Sequence, residues 1–336
     1  MTSTTQSEEA RRQTLDTMPK AAKSTWRRTL WGMVAIVGVS YALLLVYLAR
    51  NQQHLIFAGE NPVSASPDTI HADAAAFATS HALTPVWLHA GGETIAAFYG
   101  TATANRPSVA SSHSNHATTT LLWLYGSGGT AAADVGTIDA FRSEGLNVLC
   151  PDYIGYGFST GRPSEQGCYA AADAGYTYLL DNHLTSPGHL IIAGDSLGTG
   201  VAIDLAARRP CAGLVTVSAF TSMAEAATNQ YPVVPFPIIK LILKYPFASA
   251  AKIGSVRCPI LLVHARDDQT VPFWMSNRLA QCARSPVTRL SFDYGGHNEI
   301  FEANPTVFDT IGRFCDTVAS VDDGRTTVTQ YSSRVP

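Results

Sequence analysis

Short apolar runs alternate with longer stretches of helical periodicity in the second two thirds of the chain. The strand-like runs are LLWLYG (121–126), LNVLCPD (146–152), HLIIAGD (189–195), LVTVSAF (214–220), ILLVHAR (260–266) and RLSFDY (289–294). Between them, apolar residues recur at helical spacing, as in CYAAADAGYTYLLDN (168–182). Strands that alternate with helices are typical of βαβ units. The pattern predicts an α/β domain over residues 85–320, with a mostly parallel sheet and helices on both faces.

The region before residue 121 carries weaker signals. PVWLHA and TIAAFYG flank Gly91-Gly92 and predict a hairpin. Residues 62–84 show no strand pattern, so residues 50–84 are interpreted as a connector. Residues 101–120 form a low-complexity loop. Its two histidines, His113 and His116, have no carboxylate or thiol beside them, which favours a solvated loop over a metal site.

One segment near the N-terminus has no charged residue. It reads LWGMVAIVGVSYALLLVYLA (30–49), and 20 uncharged, mostly apolar residues are enough to cross a bilayer as a helix. The apolar region of a signal peptide is shorter, at roughly 7–15 residues. We therefore expect a retained transmembrane anchor over residues 30–49 after a disordered tail (1–29). A signal peptide and a buried helix are the alternatives.

The charges around this segment predict its orientation. Six basic residues precede it, whereas only Arg50 follows closely; the six are Arg11, Arg12, Lys20, Lys23, Arg27 and Arg28. The positive-inside rule then puts the N-terminus in the cytoplasm. We expect the rest of the chain, including a flexible C-terminal tail (321–336), to lie outside the cytoplasm.

The composition narrows the function classes. The formal net charge is -3 and no basic stripe occurs outside the N-terminal tail, which argues against a nucleic-acid partner. The six cysteines show neither a C-x-x-C nor a zinc pattern. An extracytoplasmic location would permit disulfides, but the spacing assigns no pairs.

The pentapeptide GDSLG (194–198) joins a strand-like run to a helical one. A nucleophile elbow puts its serine on such a strand-to-helix turn, where flanking glycines avoid clashes. Ser196 is therefore the candidate nucleophile. The amide of Leu197, at the start of the helix, is a candidate donor to an oxyanion.

A serine hydroxyl needs a base and an orienting acid, in the chain order Ser, acid, His for this kind of turn. Two histidines follow Ser196. We predict His297, in GGHNE, as the base, because His264 lies inside an apolar run and precedes the acids. The acid candidates are Asp267, Asp268 and Asp293. We favour Asp268, which ends a strand run and precedes Gln-Thr-Val-Pro, whereas Asp267 is interpreted as solvating or capping the turn.

GDSLG, HARDDQTVP and GGHNE, in this order, resemble the α/β-hydrolase superfamily. DYIGYGFSTGRPSEQG (152–167) resembles one branch of it, the membrane-anchored abhydrolase-domain proteins described as serine-aminopeptidase-like or dienelactone-hydrolase-like. In that branch the acid lies four residues after the strand histidine, which corresponds to Asp268 counted from His264. The resemblance implies an α/β-hydrolase fold, a triad of Ser196, Asp268 and His297, and no metal or organic cofactor.

The first oxyanion loop of this family usually reads His-Gly, whereas this chain has Tyr125-Gly126. The sequence therefore does not indicate what the tyrosine ring contacts. Backbone amides are expected to serve as donors to the oxyanion. The resemblance implies the amide of Ser127 as the second donor beside Leu197, with Gly128 as the alternative.

The implied reaction is acyl transfer to water, with a small acyl compound as substrate. Carboxylic ester or thioester hydrolysis ranks first and aminopeptidase-like activity second, and a non-catalytic membrane-tethered scaffold is the third alternative. The apolar, Pro-rich segment between Phe220 and Ile260 is either a short cap that presents an acyl-binding surface or a connecting helix packed on the sheet. An apolar cap beside a membrane would favour lipid-like substrates.

Overall fold

The computed structural model describes residues 20–59, 66–103 and 119–322. Three predicted features lie outside these ranges: most of the N-terminal tail, the part of the loop with His113 and His116, and the C-terminal tail beyond residue 322. The chain divides between Asn51 and Gln52 into two units.

The first unit contains one long helix, α1 (Lys20–Arg50). Its stretch Arg28–Arg50 is apolar and largely exposed, and it is long enough to cross a membrane. A signal sequence near the N-terminus would have the same properties. The uncharged segment of residues 30–49 thus lies within a single continuous helix.

The second unit is built on an eight-stranded sheet of order β1-β2-β4-β3-β5-β6-β7-β8. Its strands are β1 (Thr84–Ala90), β2 (Glu93–Gly100), β3 (Thr120–Leu124), β4 (Asn147–Pro151), β5 (Leu190–Asp195), β6 (Gly213–Val217), β7 (Ile260–Ala265) and β8 (Val287–Phe292). Strands β3 to β8 pair in parallel, while β1 and β2 form an antiparallel hairpin whose second strand pairs with β4. Each predicted apolar run contributes a strand, and the hairpin turns at Gly91-Gly92.

Helices cover both faces of this sheet. They are α2 (Gln52–Ile56), α3 (Pro67–Ser80), α4 (Val135–Ser143), α5 (Glu165–Asp181), α6 (Leu197–Arg208), α7 (Met223–Gln230), α8 (Phe236–Ile242), α9 (Ser249–Lys252), α10 (Trp274–Cys282), α11 (Ile300–Ala303) and α12 (Thr306–Asp322). Successive residues of β3 show the two layers. Leu122 faces α5, where it approaches Gly175, and the next residue, Trp123, packs on Phe141 of α4 and Phe301 of α11. All residues of β3, β6 and β7 are buried, as strands covered on both faces require.

Helix α3 lies in the region that has no strand pattern. Ser66 caps its first turn by accepting a hydrogen bond from the amide of Thr69 at 3.3 Å, and Pro67 begins the helix. Ile70, Ala74 and Ala78 form its buried stripe, and the helix packs against β1. Part of the predicted connector is therefore a structural layer beside the hairpin.

The segment between β6 and β7 carries the three short helices α7, α8 and α9. Val234 and Ile239 are buried, whereas Phe236 and Leu241 are 40% and 83% exposed. The segment therefore packs inward, as a connecting helix would, and also presents an apolar outer surface, as a cap would. We call residues 222–252 the cap.

Gln52, the first residue of the second unit, is buried and holds the cap by two hydrogen bonds. Its side-chain amide donates to the carbonyl of Ile242 at 2.6 Å, and its oxygen accepts from the amide of Lys244 at 2.7 Å. The end of α8 is thus fixed by a residue that precedes it by 190 positions.

Candidate active site

Ser196 lies on a sharp turn between β5 and α6. Its φ angle of 47° is in the left-handed region, which non-glycine residues rarely adopt. Both flanking glycines are required by space. A Cβ atom at Gly194 would lie 2.3 Å from the carbonyl oxygen of Gly198, and one at Gly198 would lie 1.9 Å from that of Leu124. The tight approach of strand and helix lifts the hydroxyl of Ser196 above the carboxyl edge of the sheet.

A chain of hydrogen bonds joins the three predicted residues. The hydroxyl oxygen of Ser196 lies 2.8 Å from Nε2 of His297, and Nδ1 of that ring lies 2.8 Å from Oδ2 of Asp268. Asp268 follows β7 and His297 follows β8, so parallel strands deliver all three side chains to the same edge. The arrangement is that of a nucleophile, a base and an orienting acid.

The carboxylate of Asp268 is almost fully buried and well supplied with donors. Its Oδ1 accepts hydrogen bonds from the amides of Thr270 and Val271 at 2.9 and 2.8 Å. Its Oδ2 also lies 3.2 Å from Nε2 of the buried His264. That nitrogen is 2.8 Å from the carbonyl oxygen of Val271, which only accepts, so Nε2 of His264 carries the proton. His264 therefore orients the acid and does not reach Ser196.

The other two acid candidates lie elsewhere. Asp267 accepts a hydrogen bond from the amide of Gly296 at 2.9 Å and so holds the loop that carries His297. Asp293 has a side chain that is 77% exposed and pairs with Arg266. Of the three carboxylates, Asp268 is the one in contact with His297.

The electrostatics of the pair suit a general base. Burial by itself lowers the pKa of His297, but the hydrogen bond and charge of Asp268, together with the charge of Asp195, raise that pKa above its usual value. For Asp268, burial raises the pKa, and the hydrogen bonds from His264 and His297 outweigh it and hold the pKa well below its usual range. These shifts favour an ionised Asp268 beside a His297 ring that can take up a proton.

The loop after β3 passes directly over the nucleophile. A Cβ atom at Gly126 would lie 3.3 Å from Cβ of Ser196, so this loop is in contact with the elbow. The carbonyl of Ser127 accepts hydrogen bonds from the amide of Gly59 at 2.7 Å and the hydroxyl of Tyr156 at 3.1 Å. The peptide group between Ser127 and Gly128 is thereby held within the loop that contacts the elbow. The assignment of their amides, with that of Leu197, as oxyanion donors stays a prediction.

Tyr125 lies buried beneath this loop. Its hydroxyl donates to Oδ1 of Asp152 at 3.0 Å and accepts from the amide of Tyr153 at 3.1 Å. The hydroxyl of Tyr153 donates in turn to the carbonyl of Tyr125 at 2.8 Å. Burial raises the pKa of Asp152 to about 6, against the hydrogen bonds it accepts from Ala131, Phe158 and Tyr125. The ring that replaces the expected histidine therefore braces the loop from below.

Asp195 is a feature that the sequence analysis missed. Its Oδ2 is 3.2 Å from the position that a Cβ atom at Gly126 would take. Its Oδ1 is buried and has no hydrogen-bond partner among the residues that the structure describes. Burial raises the pKa of Asp195 to about 7, while the charge of His297 opposes the rise. The residue before Ser196 is thus a second carboxyl group near His297, partly buried and with one oxygen fully enclosed.

No group of three or more His, Cys, Asp or Glu side chains in the described ranges is arranged to hold a metal ion. The side chains at the site carry a hydroxyl group, an imidazole ring and carboxyl groups. They suit proton transfer and nucleophilic attack.

Comparison with known proteins gives sequence relatives over about half of the chain. An uncharacterized protein of Mycobacterium tuberculosis is 38% identical over 177 residues, which are 52% of this chain and 62% of that protein. Alpha/beta hydrolase domain-containing protein 17B of Xenopus laevis is 34% identical over 155 residues, 46% of this chain and 51% of that protein. The chain thus spans less than two thirds of the length of these relatives. No protein-family model matches it.

Solved structures resemble most of the chain. An alpha-beta hydrolase from Vibrio vulnificus covers 80% of this chain and 92% of its own, with a TM-score of 0.61 and 22% identity. The esterase Pf2001 of Pyrococcus furiosus covers 77% and 95%, with a TM-score of 0.58 and 17% identity. At these identities the structural similarity shows the fold alone. The sequence relative named as an alpha/beta hydrolase domain-containing protein is consistent with that fold. The chain therefore has the α/β-hydrolase fold, and over about half of its length it is similar in sequence to alpha/beta hydrolase domain-containing proteins.

Proposed function

We propose that the chain is a serine hydrolase that cleaves carboxylic esters or thioesters of lipid-like acyl groups. The observation that carries this proposal is the continuous hydrogen-bonded series from Ser196 through His297 to Asp268. The hydrolases and esterases among the comparisons support the coarser statement that the chain is a hydrolase of this superfamily.

In the proposed mechanism the hydroxyl of Ser196 attacks the substrate carbonyl while Nε2 of His297 takes its proton. Asp268 holds the ring through Nδ1 and stabilises its cationic form. The ring then gives the proton to the departing alcohol or thiol, which leaves an acyl group on Ser196. A water molecule, activated by the same ring, releases the acid and restores the serine.

Negative charge develops on the carbonyl oxygen during attack. The amide of Leu197 at the start of α6 and that of Ser127 or Gly128 in the loop after β3 would stabilise it. Loss of one such donor typically costs on the order of 10²–10³ in turnover. The bracing of this loop by Gly59, Tyr156 and Tyr125 supports a preorganised site, since fixed donors need no reorganisation during reaction.

The cap supports an acyl substrate. Val233, Phe236 and Leu241 are large apolar side chains of one segment, and they are 66%, 40% and 83% exposed. Apolar surface exposed in this way often marks a binding site. The side-chain amide of Asn229 in α7 donates to the carbonyl of Gln269 at 3.3 Å, next to the acid Asp268. The cap therefore adjoins the site, and its apolar surface suits a hydrocarbon chain.

The proposal includes the membrane topology of the chain. Helix α1 is retained as a transmembrane anchor, with its N-terminus in the cytoplasm and the hydrolase unit on the other side of the membrane. The asymmetry of basic residues around the apolar segment supports it. A reporter that is active only in the cytoplasm, fused after Pro336, should stay inactive, and activity of that reporter would reverse the orientation.

Labelling of membranes with a fluorophosphonate probe tests the nucleophile. The wild-type chain should be labelled and Ser196→Ala should not, while Ser143→Ala, a serine on the exposed side of α4, should be labelled like the wild type. Folded wild-type protein without label would contradict the catalytic proposal. A second outcome would contradict only the proposed substrate class. In that case the protein is labelled and cleaves dipeptide reporters with a free amine, but it cleaves no acyl ester or thioester.

A further inference from the structure

Two cysteines lie in contact at the edge of the sheet opposite Ser196. The sulfur atoms of Cys211 and Cys258 are 3.4 Å apart, although the residues are 47 positions apart in the chain. Cys211 lies two residues before β6, and Cys258 lies two residues before β7. Both therefore lie where these neighbouring strands begin, whereas Ser196 follows the carboxyl end of β5.

The backbone geometry suits a covalent bond between them. Strands β6 and β7 are adjacent and parallel, with Leu214 opposite Ile260, and the amide of Leu214 donates to the carbonyl of Pro259 at 3.0 Å. Neighbouring strands lie about 4.8 Å apart, and a disulfide spans Cα atoms roughly 4.4–6.8 Å apart. Closing the sulfur separation to about 2.05 Å therefore needs small side-chain rotations and no change of strand pairing.

We propose that Cys211 and Cys258 form a disulfide bond in the native, membrane-bound protein. The two thiols would be oxidised by a disulfide of a thiol–disulfide oxidoreductase or of a small-molecule thiol. One cysteine attacks that disulfide and releases its first thiol, and the second cysteine then displaces the other thiol. Two electrons and two protons pass to the oxidant, which leaves as two thiols.

The local environment supports this chemistry. The hydrogen bond between the two sulfur atoms lowers the pKa of Cys258, against the effect of its burial, because the thiol of Cys211 can donate to a thiolate at Cys258. The thiolate is the form that attacks a disulfide. Cys211 is partly exposed, so an oxidant can approach the pair, whereas Cys150 and Cys168 are buried away from solvent.

The bond would close a loop that contains the whole cap. Residues 212–257 include β6 and helices α7, α8 and α9. A crosslink at the base of this loop restricts the unfolded chain, and the effect grows with loop length. It would also tie together the two strands from which the cap extends, without contact with the triad at the other edge.

Peptide mapping of the full chain tests the proposal. Cells that carry the protein in their membrane are quenched with acid and N-ethylmaleimide, and the protein is digested without reduction. A linked peptide pair that contains Cys211 and Cys258 is expected, and dithiothreitol should abolish it. Cys282→Ser should retain the pair, whereas Cys211→Ser should lose it. Recovery of both cysteines as alkylated thiols from the wild-type chain would overturn the proposal.

Thermal unfolding in detergent gives a second readout that does not depend on a variant. The oxidised protein should melt at least about 5 °C above the reduced protein, because the closed loop is long. Ester hydrolysis by the folded protein at low temperature should be the same in both forms. The measurement therefore separates this proposal from the proposed function, since an inactive protein would still show the redox-dependent melting temperature. Equal melting temperatures would contradict a structural role for the bond.

Discussion

His264 and His297 bond to the same oxygen of Asp268, at 3.2 and 2.8 Å. Only His297 also reaches the hydroxyl of Ser196. One histidine is thus placed to move the proton and the other to position the acid, and variants can separate the two roles.

We expect His297→Ala to lower kcat/KM for an ester substrate on the order of 10⁴-fold or more, because the base is removed. His264→Leu should cost far less, since the amides of Thr270 and Val271 still hold Asp268. His264→Gln keeps a donor near the carboxylate and should restore most of the loss. Retained activity in His297→Ala together with its loss in His264→Leu would reverse the assignment.

The pH profile should follow the neutral fraction of His297. Since the charge and hydrogen bond of Asp268 raise the pKa of this ring above 6.5, kcat/KM should fall as the pH drops through a midpoint above 6.5. In Asp268→Asn the stabilising charge is gone, so the midpoint should move to lower pH and the plateau should fall about 10⁴-fold. A midpoint that stays in place in Asp268→Asn would assign the titration to another group.

Gly198→Ala should disrupt the elbow. The new Cβ atom would lie 1.9 Å from the carbonyl oxygen of Leu124, so β3 and α6 would have to separate. We expect loss of fluorophosphonate labelling and a marked fall in melting temperature. Gly136→Ala is the matched control, because a Cβ atom there meets nothing within 4 Å and alanine favours the helix by roughly 0.5–1 kcal/mol. Equal stability of the two variants would contradict the close approach.

Asp195→Asn should change how stability depends on pH. Burial raises the pKa of Asp195 from 3.8 to about 7, so the folded chain holds a proton that the unfolded chain releases above pH 4. The stability of the wild type should therefore fall as the pH rises from about 4 to about 7, by up to about 4 kcal/mol from this group. The asparagine variant lacks this titration, and its advantage over the wild type should grow over the same range. A difference in melting temperature between the two proteins that stays constant across these pH values would contradict a raised pKa of Asp195.

The parallel strands and the candidate residues at their ends could be predicted from sequence patterns, whereas the order of the strands in the sheet was not predicted. Apolar runs separated by helical stretches predict parallel strands, and parallel strands bring Ser196, Asp268 and His297 to one edge. Local turn chemistry then distinguishes the elbow from an ordinary bend, because Gly194 and Gly198 flank the serine.

The missed features depend on contacts between distant parts of the chain. Helix α3 buries an alanine-rich stripe, whose hydrophobic period is weak in the sequence. Tyr125 has its role only because Asp152 lies beneath the loop, at the end of a neighbouring strand. Nothing within GDSLG indicates that an oxygen of Asp195 is enclosed. The contact of Cys211 with Cys258 depends on the pairing of β6 with β7.

The short segment from Gln52 to Gly59 limits how the protein can be shortened. Gln52 fixes the backbone at the end of α8, and the amide of Gly59 fixes the carbonyl of Ser127. A soluble form trimmed to begin at the hairpin would keep every triad residue and lose both supports. Trimming between α1 and Gln52 preserves them. The choice of start site therefore decides whether a shortened form retains an ordered cap and loop.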